Sequence, residues 1–321
     1  MSRILIDAPG KLNLCLHVKG KRPDGFHAIE SLFLALAFGD TLCLETAGSP
    51  LSLEICMEWH IGGLHPSGAQ FPELPPEHNI IARAVSLFRN STGYNTGLKI
   101  TVTKRIPLGG GLGGGSSDAA ATLLALNRLA LPDTGSANRG LLSVETLTGM
   151  GAALGSDVPF FLQCRASPAA WVTGRGECVQ PVVLPDAIYG LSFVLVNPGF
   201  SSDTTEAFQQ LDIYREKHPP PAIMSVPPIM SVPPARWQCT NDFLPVLSAF
   251  RSEYGDILSS LKKLEADFTG LSGSGSTCFG IFSDHEKVVL AKTFLLKQFP
   301  YVFETFPLRV KQTSGTMYMK D

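Results

Sequence analysis

Residues 107–118 read PLGGGLGGGSSD, with six glycines in the seven positions 109–115 and two serines and an aspartate behind them. Glycine loses more backbone freedom on folding than any other residue, so such a density costs stability unless something approaches the backbone closely. The stretch GLKITVTK (97–104) before the loop alternates like a strand, and AAATLLALNRLA from Ala119 has the composition of a strong helix, with Ser116 or Ser117 as its expected cap. Strand, glycine loop and helix form a phosphate-binding arrangement, because backbone N–H groups and the positive end of the helix dipole both face the loop. Two further glycine-containing stretches bracket it: APGKLNL (8–14), which leads into KLNLCLHVK (11–19), a half-buried strand by its alternation with Lys11, Asn13, Cys15, His17 and Lys19 on the polar, outward face, and LSGSGSTCFGIF (271–282). Asp157 stands in GSDVPFFL (155–162), where on its own it fits a turn or cap residue as well as a catalytic one.

Three phosphate-loop chemistries compete for the stretch. Residues 109–114 formally fit the G-x-G-x-x-G dinucleotide fingerprint, which keeps an NAD(P)-dependent oxidoreductase open. Against it, Arg105-Ile106-Pro107 separates the strand from the glycines, and ALPDTGSAN (130–138) offers a loop where a ribose-binding acid is wanted. A Walker loop needs G-K-S/T, and neither Gly10–Lys11 nor Gly20–Lys21 supplies it. A protein kinase would need HRD and DFG, which are absent.

The three glycine motifs, in this order, resemble those of the GHMP kinases, which phosphorylate galactose, homoserine, mevalonate and related small alcohols. PDGFH (23–27), GSDVPFFL, NPGFSSDTTEAF (197–208) and NDF (241–243) are similar to the branch that acts on 4-diphosphocytidyl-2-C-methyl-D-erythritol in the non-mevalonate route to isoprenoid precursors. The resemblance implies an α+β fold of two domains, a ribosomal protein S5 domain 2-like N-terminal domain and a ferredoxin-like C-terminal domain, with the site between them. It implies ATP and Mg2+ as cofactors, with the magnesium ligands unassigned and no protein metal site. Asp157 becomes the base that takes the acceptor hydroxyl's proton, and Lys11 its cationic partner. Pro107, Gly109, Gly110, Gly111, Leu112, Gly113, Gly114, Gly115, Ser116 and Ser117 become the ATP phosphate loop, with Asn79 and Lys104 near the nucleotide. Asn13, Phe26, His27 and Phe208 become the acceptor-binding residues, the rings stacking on cytosine.

The rest of the chain must hold these residues in place. Its 321 residues are 44% hydrophobic and 17% charged, with a net charge of −2, enough for two domains with real cores and without the basic stripe of a nucleic-acid binder. The seven cysteines are scattered with no CxxC pair, as expected of free thiols in a reducing cytoplasm. No apolar run approaches the ~20 residues that span a bilayer, so no membrane partner is expected. MSRILIDAPGKLN leads directly into a strand, and no signal or transit peptide is expected. The assembly is expected to be a monomer or weak homodimer. Composition suggests domains at 1–165 and 166–321, with a mobile proline-rich insertion over about 209–240 that carries a tandem IMSVPP. Helices are expected over 80–88 with Asn79 as cap, over 143–154, and around 284–298.

Overall fold

The structure, a computed structural model, describes residues 2–60, 75, 77–130, 141–218 and 232–310, and the backbone of 318–319. Two long strands build the first sheet: β1 (Arg3–Lys21) and β2 (His27–Thr46), antiparallel and joined by the Arg22–Phe26 turn. β2 is long enough to serve two partners. Its end, Thr41–Thr46, pairs with β4 (Leu98–Lys104), while its start, Ile29–Leu34, pairs with β5 (Ala169–Gly174). β3 (Leu53–Trp59) lies parallel to β4, β6 (Cys178–Pro181) closes a hairpin with β5, and the pair Tyr318–Met319 adds to β1. The second sheet is antiparallel, in the order β10-β7-β9-β8: β7 (Ser192–Asn197), β8 (Phe268–Leu271), β9 (Cys278–Phe282) and β10 (Tyr301–Thr305).

Four helices cover the first sheet: α1 (Ile80–Thr92), α2 (Gly114–Leu129), α3 (Val144–Leu154) and α4 (Val158–Gln163), with Val85, Phe88, Leu123, Leu126 and Phe160 in the shared core. Four more, α5 (Thr204–Lys217), α6 (Phe243–Phe250), α7 (Ser252–Lys263) and α8 (His285–Leu295), pack on the second sheet around Val194, Tyr254, Ile257 and Phe282. A third apolar cluster joins the sheets, bringing Leu12, Leu14 and Leu34 against Phe193, Leu195 and Phe279. Mixed, mainly antiparallel sheets with segregated helices are the α+β arrangement expected, and they replace the doubly wound parallel sheet that a dinucleotide-binding oxidoreductase would require.

Three expectations change. The division at 165 falls ahead of the β5–β6 hairpin, which extends the first sheet through β2, and the second sheet starts only at Ser192. The insertion expected from 209 begins too early, because α5 runs on to Lys217: the Asp203 carboxylate accepts from the amides of Thr205 and Glu206, and Leu211 is buried. At its other end Trp237 is buried and its indole donates to the Val232 carbonyl, whereas 219–231, most of the IMSVPP tandem, lie outside the described residues. Finally β1 is not half-exposed. Lys11, Asn13 and Cys15 on its supposed polar face are as buried as the leucines between them, since the second sheet covers one side and the candidate site fills the other. Among the described residues no helix is long and apolar enough to cross a membrane.

Candidate active site

Bulges in the β1–β2 pairing fall between Pro9 and Lys11 and between Asn13 and Cys15, so the three residues Lys11–Asn13 are bracketed by irregular pairing. Such bulges re-aim side chains locally. The Lys11 ammonium donates to the Asn13 amide oxygen, lies 4.7 Å from the Phe33 ring centroid, and sits 3.8 Å from the Asp157 carboxylate. Burial pulls the Lys11 ammonium below the ordinary lysine value, and the Asp157 charge works against that pull. Asp157 occupies the N-cap of α4 without using its carboxylate as a cap, which leaves that group partly open to the cavity. A turn residue would have been consumed by the backbone. Here the carboxylate is free to face a ligand.

The glycine loop runs beside this pair. The Lys11 amide donates to the Leu112 carbonyl at 2.9 Å, so the first two motifs are stitched together through the backbone. The third motif clamps the loop from the second sheet: the Ser272 hydroxyl donates to the Gly111 carbonyl at 2.8 Å, and the Thr277 amide to the Gly110 carbonyl at 3.1 Å. Gly111 has a left-handed φ of 74°, and a Cβ there would lie 2.2 Å from the Ser272 carbonyl oxygen. No other residue fits. α2 opens on Gly113, also left-handed, rather than on a serine, and no side chain caps its first amides. The expected Ser116 or Ser117 cap is therefore not formed, because the helix begins a turn earlier and leaves uncapped donors toward the cavity. Ser116 lines that cavity, while Ser117 is buried behind it with a hydroxyl that has no partner.

Pro107 and all of Gly109–Gly115 line a single cavity of about 790 Å³, a size suited to small-molecule ligands. Asn79 does not reach it. Its side-chain oxygen accepts from the Ile81 amide and caps α1, and Ile80 lines the wall instead. Lys104 lines the wall, but its ammonium is held by two buried carboxylates, Asp40 and, at 2.6 Å, Asp118. Those carboxylates compete with any nucleotide phosphate for it. Asp40 also accepts from the amides of Arg105 and, at 2.8 Å, Ile106, the two residues that launch the glycine loop. The group is thus a buried anchor that ties β4, the loop and α2 together.

Burial lifts the Asp118 carboxyl from 3.8 to about 7; Lys104 opposes the shift and Asp40 adds to it. An acid raised in the fold contributes stability fully below its unfolded value of 3.8, and the contribution is lost as pH rises through about 7. Relative to the unaltered protein, Asp118→Asn should therefore gain thermal stability steadily across that interval. Parallel melts in a pH series check the sign, and a flat difference contradicts it.

At the far end of the cavity His27 stacks on Phe208, with ring centroids 4.8 Å apart at 12°, and its Nε2 lies 2.7 Å from the Asp212 carboxylate. Phe243 of the NDF stretch meets Phe208 edge-on at 4.9 Å. Phe26 is 55% exposed at the mouth, and its ring lies 5.1 Å from the Arg175 guanidinium. Thus His27 and Phe208 come together, whereas Phe26 is paired with Arg175, and one face of Phe208 is covered by His27. Asn13 holds its place by donating to the Ser31 hydroxyl at 2.8 Å and accepting from Lys11. Residue-by-residue reading missed Asp40, Asp118, Arg175, Asp212 and Ser272. Asp212 had a usable signal: with Phe208 and Arg215 it forms an i, i+4, i+7 row on α5, and Arg215 is tied to Asp242 at 2.6 Å.

Comparisons with known proteins show what the chain is related to. The profile for the GHMP kinases N terminal domain matches residues 79–165, and that for GHMP kinases C terminal matches 235–300. The chain is 35% identical over 295 residues to the 4-diphosphocytidyl-2-C-methyl-D-erythritol kinase of Xylella fastidiosa, covering 92% of this chain and 85% of the relative. A crystal structure of 4-(cytidine 5'-diphospho)-2C-methyl-D-erythritol kinase superposes with a TM-score of 0.72 at 27% identity, covering 95% of this chain and all of the other. Homoserine kinase from Cytophaga hutchinsonii shares the fold, with a TM-score of 0.67 at 18% identity over 95% of each chain. Three glycine motifs folded around one cavity, matched along nearly the whole chain, establish that this protein belongs to the GHMP kinases, in the family of the 4-diphosphocytidyl-2-C-methyl-D-erythritol kinases.

Proposed function

We propose that the protein transfers the γ-phosphoryl group of ATP to the 2-hydroxyl of 4-diphosphocytidyl-2-C-methyl-D-erythritol. The observation that carries this reading is the Lys11–Asp157 pair, 3.8 Å apart, set in one cavity between the uncapped α2 N-terminus and the His27–Phe208 stack. Phosphoryl transfer is chiefly positioning and charge neutralisation. The open amides of Gly114, Gly115 and Ser116 meet the phosphates, and the left-handed glycines keep side chains out of their way. Asp157 accepts the hydroxyl proton as the new P–O bond forms, and Lys11 offsets the charge on the attacking oxygen. Asn13 holds the Lys11 ammonium in position.

Among the described residues no cluster of three or more His, Cys, Asp or Glu could cage a metal ion. Where magnesium accompanies ATP, the Ser116 hydroxyl on the cavity wall is the side chain that would hold it. The ion supplies charge neutralisation on the phosphates. The seven free thiols fit a cytoplasmic location in the non-mevalonate isoprenoid route.

Remote contacts to the cytidine hold the reacting hydroxyl in line. Phe208→Ala should therefore lower kcat/KM for the acceptor by about 1–3 kcal/mol, the usual cost of a lost base–aromatic stack, with little change in KM for ATP. Steady-state kinetics with each substrate varied separately tests this; an effect confined to ATP contradicts it.

A further inference from the structure

Between its cytidine and its polyol, the proposed acceptor carries a diphosphate whose charge the cavity must meet. Of the cations lining the cavity, two are already committed. Lys11 is engaged by Asp157 and Asn13, and Lys104 is shared between Asp40 and Asp118. Lys21 stands exposed at the end of β1, on the outer rim. Arg175 remains.

Arg175 sits in the tight turn of the β5–β6 hairpin, flanked by Gly174 and Gly176, both with positive φ. That turn touches both ends of the site. A Cβ added to Gly176 would lie 3.5 Å from the Asp157 carboxylate and 3.1 Å from Ser156 Cβ, so the turn passes beside the reacting hydroxyl. The Arg175 guanidinium in turn lies over the Phe26 ring, at the base-reading end. Its nearest anion, Glu177, is 3.7 Å from Nε, beyond hydrogen-bond length, and Glu177 instead accepts from the Arg175 amide. The terminal nitrogens keep a two-pronged donor edge, the geometry that matches phosphate oxygens.

Resting on the proposed acceptor, we infer that Arg175 is the specificity-determining residue that binds the acceptor's diphosphate, bridging the cytidine pocket and Asp157. It selects a nucleoside diphosphate handle over an uncharged nucleoside, and its contact with Phe26 places base and diphosphate in a fixed relation.

The test is calorimetric binding of cytidine and of cytidine 5′-diphosphate, with the ATP site filled by a non-hydrolysable ATP analogue. The unaltered protein should prefer the diphosphate by about ten- to a hundredfold, the usual range for hydrogen bonds to a charged group. Arg175→Gln should lose most of that preference while cytidine affinity holds within about twofold, and Arg175→Lys should fall between the two. Melting curves confirm that both variants fold. An undiminished preference for the diphosphate in folded Arg175→Gln overturns the assignment alone. Failure of the unaltered protein to bind either compound overturns the acceptor reading and the assignment with it.

Discussion

Replacing Asp157 by Asn should leave the protein folded and able to bind ATP, but lower kcat for phosphoryl transfer by about 10²–10⁴-fold, the usual effect of removing a general base. The fold has little at stake in the change. The carboxylate caps no helix, and its charged neighbour, Lys11, keeps its bond to Asn13 and its place over Phe33. Lys11 would be left as a buried cation without its counter-charge, so its pKa, already below the ordinary value, should fall further. Single-turnover kinetics, with ATP affinity measured separately, distinguishes this from a binding defect. Near-native turnover in purified Asp157→Asn would show that another group takes the proton.

Lys104→Met should cost about 3–5 kcal/mol of stability, because it strands two buried carboxylates around an apolar side chain. In a protein of this size that amounts to a fall in Tm on the order of 10 °C. Asp40 would keep its bonds to the amides of Arg105 and Ile106, but those bonds would then carry an uncompensated charge under the start of the glycine loop. Adding Asp118→Asn to Lys104→Met should return part of the loss, since a carboxyl already raised by burial then no longer has to take up a proton to sit beside Asp40. Calorimetric melts of the single and double variants give the comparison. A single variant melting within a degree or two of the unaltered protein would mean that the three groups are not an anchor.

The glycine loop was legible because its constraint is local. Six glycines between a strand and a helix leave few explanations, and the left-handed φ at Gly111 with Ser272 pressed against it is the physical cause behind that pattern. The α1 cap at Asn79 was legible for the same reason. What stayed hidden was pairing at a distance. Asp40 reads as a turn residue after Gly39, and nothing nearby tells that Lys104, 64 positions on, will close on it. The polar side of β1 read as solvent-facing because alternation reports two faces, not what covers each. Lys11 and Asn13 are polar there because they border a ligand cavity. The proline-rich composition downstream masked Asp212 and Arg215, which belong to α5 and pair with His27 and Asp242. Arg175 lies outside every quoted motif, and only the fold brings its turn between Phe26 and Asp157.

The most direct measurement of the central claim is phosphoryl transfer from γ-labelled ATP to a panel of acceptors, with product position read by 31P NMR. The panel is 4-diphosphocytidyl-2-C-methyl-D-erythritol, free 2-C-methyl-D-erythritol, mevalonate and homoserine. Rapid transfer to the 2-hydroxyl of the cytidylated compound and negligible transfer to the other three are expected, since these lack the cytidine diphosphate handle proposed to sit against the His27–Phe208 stack. Equal phosphorylation of the free polyol, mevalonate or homoserine, or no transfer to the cytidylated compound, would contradict that claim.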